Sequence, residues 1–244
     1  MIRRLVVLAI AFSLVGIAAA QTKAPAPAKK TATTAGKTAS KPAFDRALLA
    51  PAKLTEKAPE VFDVKVATTK GDVLIRVTRT WSPNGADRFY NLVKHGFYNG
   101  ASFFRVVRDP RPFVVQFGIS AHPEVSKAWA AANIQDDPVV KSNVRGFVTY
   151  AKSNQPNSRT TQIFINLGDN SRLDATGFSP FGEVVEGMDV VDKFFSGYGE
   201  GLTQRQGEIA AEGAAYLEKN FPDLDKIVTA RIVTPAKTPA KKTP

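Results

Sequence analysis

Short segments rich in β-branched and aromatic residues recur along most of this chain, and they restrict its fold more than any other feature. Residues 61–68 and 72–78 alternate apolar and polar side chains with period two, and Lys70-Gly71 between them supplies a turn, which predicts a β-hairpin. Six further strands are predicted at residues 103–107, 113–117, 146–151, 162–167, 180–185 and 227–233.

Helical patterns are few, and they do not alternate regularly with the strands. Ser82-Pro83 predicts a helix start with a capping hydroxyl, and Gly96 predicts its end. Residues 187–195 and 208–219 favour two more helices, whereas residues 120–137 are typical of a long polar loop. The expected fold is therefore mainly β, a closed eight-stranded antiparallel barrel capped by two or three α-helices.

The N-terminal residues have the composition of an export signal. Residues 1–20 combine Arg3 and Arg4, an apolar run and three alanines, the pattern of a secretory signal peptide cleaved near Ala20. A membrane anchor is the alternative, although it would need about 20 apolar residues. The chain is thus expected to be exported, to a periplasm or out of the cell, with no stable membrane insertion after cleavage.

The next segment is typical of a linker. Residues 21–60 are rich in Ala, Pro, Lys and Thr and contain few large apolar side chains, which predicts disorder. Within them, residues 44–54 leave open a short helix or packing against the domain. The globular domain is expected at residues 61–233, followed by a basic disordered tail at residues 234–244.

The positive charge of the chain lies outside the predicted domain. Of the net charge of +11, the signal carries two, residues 21–57 six and the tail three, which leaves the domain near neutral. A basic groove for nucleic acid is therefore not expected, although tails that touch an anionic cell surface remain an alternative. With no cysteine and two isolated histidines, His95 and His122, no metal, cofactor, Ser-His-Asp or Cys-His chemistry is predicted.

Residues 102–118, SFFRVVRDPRPFVVQFG, contain two polar residues that a strand core does not explain. Arg105 interrupts one apolar strand and Gln116 the other, and two prolines mark the connection as a loop. If these strands pair, Arg105 and Gln116 lie close together beside Phe113. The pattern leaves two interpretations open, a functional site or an arginine on the solvated face.

Three stretches in order resemble the cyclophilin-type peptidyl-prolyl isomerases: FFRVVRDPRPFVVQFG (103–118), GFVTYAKSNQPNSRTTQIFINL (146–167) and LDATGFSPFGEVVEGMDVVDK (173–193). The resemblance covers about residues 61–233. It implies a cofactor-independent, monomeric enzyme that speeds rotation about X–Pro bonds in proline-containing segments of exported proteins during folding. A chaperone-like peptide-binding module with weak or no turnover is the alternative.

The same resemblance assigns roles to individual positions. It implies catalytic roles for Arg105, Phe113 and Gln116. It implies substrate-binding roles for Val114, Ala151, Lys152, Ser153, Gln162, Phe164 and Leu173. Several positions depart from the family pattern. Lys152 replaces the usual Asn, and Arg172 replaces a frequent Trp, which weakens the expectation of cyclosporin binding but leaves it open. The groove histidine of the family has no counterpart, and Phe178 is expected to fill its space.

Overall fold

The computed structural model describes residues 43–234, and its centre is one eight-stranded antiparallel sheet that curves into a half-barrel. The strands are β1 (Val61–Thr68), β2 (Gly71–Thr78), β3 (Arg105–Val106), β4 (Val114–Phe117), β5 (Phe147–Tyr150), β6 (Ile163–Asn166), β7 (Pro180–Glu186) and β8 (Ile227–Val233). Their order across the sheet is β3-β4-β6-β5-β7-β2-β1-β8. The mainly β fold and all eight predicted strands are thereby confirmed, although several strands are shorter than predicted.

The predicted complete closure of the barrel was wrong. Strands β3 and β8 form the two edges, and within the described residues only the isolated bridge between Ser102 and Lys226 and neighbouring backbone hydrogen bonds connect them. Strand β3 is short because residues 108–112 leave the sheet as a loop. The two prolines of this loop have no backbone N–H and cannot donate a hydrogen bond to a neighbouring strand.

Five α-helices lie within residues 43–234, more than the two or three predicted. They are α1 (Pro83–Lys94), α2 (Pro123–Trp129), α3 (Met188–Val191), α4 (Gln206–Glu212) and α5 (Ala214–Asn220). Helix α2 lies in the segment predicted as a polar loop, with Val125 and Trp129 buried. The helix predicted at 208–219 is two helices, because Gly213 between them has φ 67°, outside the helical region.

The start of α1 is capped by a residue distant in sequence. The Ser82 hydroxyl does not cap the helix; it donates to Asp137 Oδ2 (2.6 Å). The same carboxylate accepts the backbone N–H of Gly85 (2.9 Å). A carboxylate at this helix end is favourable because the first N–H groups lack helical partners and carry partial positive charge.

Residues 43–60 are ordered, which corrects the linker boundary predicted at residue 60. Two 3₁₀ turns, Arg46–Leu49 and Pro51–Lys53, pack on the domain; Leu48 is 1 % exposed and its carbonyl accepts the indole N–H of Trp129 (2.8 Å). Both possibilities left open for residues 44–54 occur together, because the short helical turns are themselves packed against the domain. The predicted signal peptide, the linker up to residue 42 and the tail from residue 235 lie outside the described residues.

Two apolar clusters hold the elements together. The larger packs helices α1 and α2 against the sheet, with Phe89, Trp129 and Phe181 among its buried side chains. The smaller buries Leu202 and Ile209 with Phe104 and Ile119, and so fixes the segment around residues 200–209 beside β3 and β4. Within residues 43–234, no helix is both long and apolar enough to cross a bilayer.

Candidate active site

Pairing of three adjacent strands brings the predicted catalytic residues together. In the register of β3, β4 and β6, Arg105 lies opposite Gln116, and Gln116 lies opposite Phe164. Directly paired residues on neighbouring strands project from the same face of a sheet. The predicted pairing of the two strands around Arg105 and Gln116 is confirmed, and these three side chains share one face.

The loop between β3 and β4 leaves this register intact. The Val107 N–H donates to the Val114 carbonyl and the Phe113 N–H donates to the Val107 carbonyl, both at 2.9 Å, so the loop closes on itself. Arg108, within the loop, points away from β4 and donates to the Val191 carbonyl (3.0 Å). Phe113 therefore stays beside Arg105 despite the intervening residues.

A pocket of about 230 Å³ with one apolar and one polar side opens beside Arg105. The predicted residues that line it are Arg105, Phe113, Val114, Gln116, Ala151, Lys152, Phe164 and Leu173. Val114 and Phe164 are buried, and the Phe164 ring meets Phe178 edge-on at 5.8 Å, so Phe178 closes one side of the pocket. Larger pockets occur elsewhere in the described chain, but this one joins an apolar wall to a cation and a chain of amides.

A chain of side-chain hydrogen bonds runs along the pocket edge. Arg105 Nη1 donates to Gln116 Oε1 (2.8 Å), Gln116 Nε2 to Gln162 Oε1 (2.9 Å), and Gln162 Nε2 to Gln206 Oε1 (3.0 Å). Gln206 Nε2 in turn donates to the Thr203 carbonyl (3.2 Å). Because each amide both donates and accepts, the chain sets the orientation of Gln116 and presents its oxygen to the guanidinium.

Glu200 completes this network from the opposite side. Its two carboxylate oxygens accept from Arg105 Nε and Nη2, each at 2.7 Å, in a bidentate pair, and the Thr203 hydroxyl donates to Glu200 Oε2 (2.8 Å). The hydrogen bond from Arg105 holds the pKa of Glu200 below its usual range, against the opposing effect of partial burial. Three of the five guanidinium N–H bonds are thus engaged, which leaves two for a ligand.

Sequence reasoning did not identify Glu200, Thr203 or Gln206 as site residues. They lie in the glycine-rich stretch 197–207, for which no strand or helix is predicted, and the nearest of them, Glu200, is 95 residues from Arg105 in sequence. Burial of Leu202 and Ile209 carries this segment to the pocket. The sequence offers only a weak signal for this contact: Leu202 and Ile209 are the two large apolar residues in the polar and glycine-rich run 199–209.

A second pocket of about 260 Å³ adjoins the first and shares Gln116, Ala151, Lys152 and Gln206 with it. The predicted residues Gln162 and Ser153 line only this second pocket. The Ser153 N–H donates to the Ser158 hydroxyl (3.0 Å), which shapes an exposed turn at the pocket mouth. The predicted substrate-binding residues therefore divide between two connected pockets.

Comparison with known proteins gives a consistent result. The family model of cyclophilin type peptidyl-prolyl cis-trans isomerases matches residues 62–210. A peptidyl-prolyl cis-trans isomerase of Acinetobacter baylyi is 37 % identical over 134 residues, which cover 53 % of this chain and 70 % of that protein. Peptidyl-prolyl cis-trans isomerase B of Escherichia coli is 33 % identical over 133 residues, covering 52 % and 79 %.

A solved structure supports the same fold. A Cryptosporidium parvum cyclophilin type peptidyl-prolyl cis-trans isomerase superposes with a TM-score of 0.51 at 17 % identity, covering 72 % of this chain and 99 % of that one.

Proposed function

The chain belongs to the cyclophilin-type peptidyl-prolyl cis-trans isomerase family, and from this premise we propose that it serves the folding of exported proteins, with Arg105 as its catalytic residue. The enzyme is a peptidyl-prolyl cis-trans isomerase whose substrates are proline-containing polypeptides. The observation that carries the assignment of Arg105 is its position: the side chain lines the pocket opposite apolar residues, and the guanidinium lies 5.4 Å from the Phe113 ring centre.

The reaction makes this position effective. Rotation about an X–Pro bond meets a barrier of about 18–20 kcal/mol because amide resonance is lost in the twisted state. In that state the prolyl nitrogen regains a lone pair, which a guanidinium N–H can stabilise by a hydrogen bond. Because the lone pair of the planar amide is delocalised into the carbonyl and accepts poorly, this interaction favours the transition state over the ground state. Each 1.36 kcal/mol of such preference is worth about tenfold in rate.

Gln116 has a positioning role in this proposal. Its side-chain oxygen accepts a hydrogen bond from Arg105 Nη1, and its hydrogen bond to Gln162 fixes its own orientation. The guanidinium is therefore held in place before the substrate binds. Donors that are already oriented need no reorganisation during the reaction, which is the main advantage of a fixed electrostatic site. The ring of Phe113, with Val114, Phe164 and Leu173, forms an apolar recess for the proline ring.

The sequence of residues 1–20 supports the export half of the proposal. The cationic start, apolar run and alanine triplet favour secretion and cleavage near Ala20, so the mature enzyme would meet polypeptides in a periplasm or outside the cell. We infer that it acts there as a monomer. Fusion of residues 1–25 to a reporter protein tests this directly, since a reporter that stays uncleaved in the cytoplasm would contradict export.

Replacement of Arg105 tests the catalytic half. Arg105→Ala should abolish most isomerisation of a Pro-containing peptide in a protease-coupled or exchange-NMR assay while circular dichroism remains unchanged. Arg108→Ala, in the neighbouring loop, is the matched control and should keep its activity because Arg108 contacts α3 and not the pocket. Full activity in Arg105→Ala would refute the assignment, and saturable peptide binding by the unaltered protein without any acceleration would favour the binding-module alternative.

A further inference from the structure

Two cations at the rim of the isomerase pocket form no ion pair with any acid of residues 43–234. Lys152 Nζ lies 5.2 Å from the centre of the Phe178 ring, and the Arg172 guanidinium lies 4.8 Å from that of Phe113. The two aromatic rings line the pocket, so the cations extend its walls towards solvent. Among residues 43–234, neither cation has a carboxylate oxygen within 4 Å.

The hydrogen bonds of these cations leave most of their donors available. Lys152 Nζ makes one long contact, to the Ser153 carbonyl at 3.4 Å, and Arg172 Nη1 donates to Asn170 Oδ1 at 3.0 Å. An ammonium has three donors and a guanidinium five. Both side chains can therefore donate hydrogen bonds to a carboxylate of the substrate without giving up an existing ion pair.

Neighbouring acids are engaged elsewhere. The two acids that flank Arg172 in sequence are Asp169, which accepts the backbone N–H of Ser171 (2.9 Å), and Asp174, which accepts the hydroxyl of Ser142. Glu200, the acid that borders the pocket network, is held in its bidentate pair with Arg105. Lys152 and Arg172 are therefore not engaged in an ion pair with these acids, although Arg172 is near enough to Asp169 to contribute to the lowered pKa of that carboxyl.

We propose that Lys152 and Arg172 select substrates, and that the enzyme prefers X–Pro segments with a Glu or Asp side chain directly before or directly after the proline. This inference rests on the proposed function of the pocket. A proline ring in the recess between Phe113 and Phe164 brings the adjacent residues of the peptide past the two cations. Lys152 also lines the second pocket, so it can meet an acidic side chain that enters there.

Matched peptides test the preference. Two pairs differ only by Glu or Gln, placed one residue before or one residue after the proline, and kcat/KM is measured at low salt. Because a solvent-exposed ion pair contributes modestly, at least one Glu peptide should be turned over about two- to fivefold faster than its Gln partner. The advantage should shrink as salt is raised, since exposed charges are screened within about 10 Å at 0.1 M ionic strength.

Variants assign the effect to the two cations. Lys152→Gln and Arg172→Gln should each reduce the Glu/Gln ratio, and the double variant should bring it to about one. Lys141→Gln is the matched control, because Lys141 also lies over an aromatic ring, 4.9 Å from the centre of Trp81, but lines neither pocket. Its Glu/Gln ratio should equal that of the unaltered protein.

The outcomes separate this inference from the proposed function. A ratio near one in the unaltered protein for both pairs, or a ratio that survives in the double variant, overturns the role of Lys152 and Arg172 while leaving the isomerase intact. If no peptide is turned over, the proposed function fails. The dissociation constants of the same Glu and Gln peptides then test the preference: equal affinities, or a difference that survives in the double variant, overturn it.

Discussion

We expect Glu200 to lower the kcat/KM of the isomerase, and replacement of Glu200 by Gln tests this. The carboxylate holds two of the guanidinium N–H groups of Arg105 and places a negative charge next to the cation that has to stabilise the prolyl nitrogen. Removal of that charge leaves Arg105 held by Gln116 and in contact with Phe113. We therefore expect Glu200→Gln to raise kcat/KM.

The size of the effect follows from the exposure of the pair. Two unit charges 4 Å apart interact by about 4 kcal/mol at an effective dielectric constant of 20 but about 1 kcal/mol in water. The Glu200 side chain is 55 % exposed, so the lower value applies, in agreement with about 0.2–1 kcal/mol for exposed ion pairs generally. An upper limit of about 1 kcal/mol corresponds to an increase in kcat/KM of up to about fivefold.

The assay compares Glu200→Gln with Glu208→Gln on one neutral X–Pro peptide. Glu208 forms an ion pair with Arg205 (3.6 Å) in the same segment, so this control removes the same charge without altering the contacts of Arg105. Its activity should be unchanged. A fall in kcat/KM for Glu200→Gln with unchanged Glu208→Gln would refute the reasoning and show that the carboxylate positions Arg105 instead of restraining it.

The pH dependence of this pair has a definite sign. Arg105 lowers the pKa of Glu200, so the ion pair contributes fully to stability above the usual Glu value of about 4.3 and loses its contribution as pH falls through the lowered pKa. The activity difference between the unaltered protein and Glu200→Gln should accordingly be constant near neutral pH and disappear only in that acidic range.

Two further changes test the positioning of Arg105 and the ordered N-terminal segment. Gln116→Leu should lower kcat/KM about tenfold, mainly through kcat, because Arg105 loses a charge-assisted hydrogen bond that fixes it; an unchanged kcat in steady-state kinetics would contradict this. Leu48→Ala should lower the free energy of unfolding by about 2–3 kcal/mol in urea titrations, because the side chain is buried. Leu49→Ala, at a 39 % exposed position, is the control and should have little effect. Equal effects of the two substitutions would show that residues 43–60 do not contribute to the core.

The strands and the centre of the site could be predicted because their signals are local. Period-two alternation and short runs of β-branched and aromatic residues together identified all eight strands, and Arg105 and Gln116 stood out as polar residues in two strands that the chain brings together through one short loop. Sequence patterns were less informative for residues whose role depends on distant partners. Trp129 looked like part of a polar loop, although its indole is buried against Leu48.

What the amino-acid sequence determined by itself was the set of strands and the approach of Arg105 to Gln116, since side-chain alternation and short connections act over a few residues. The recess residues Val114, Phe164 and Leu173 were predicted only from the resemblance to the family. Only the tertiary structure decided what surrounds Arg105. Glu200 and Gln206 reach the pocket because Leu202 and Ile209 bury against Phe104 and Ile119, and nothing in the local pattern specifies that apolar contact. Burial is non-directional, so the partner of a buried side chain is settled by the packing of the whole domain.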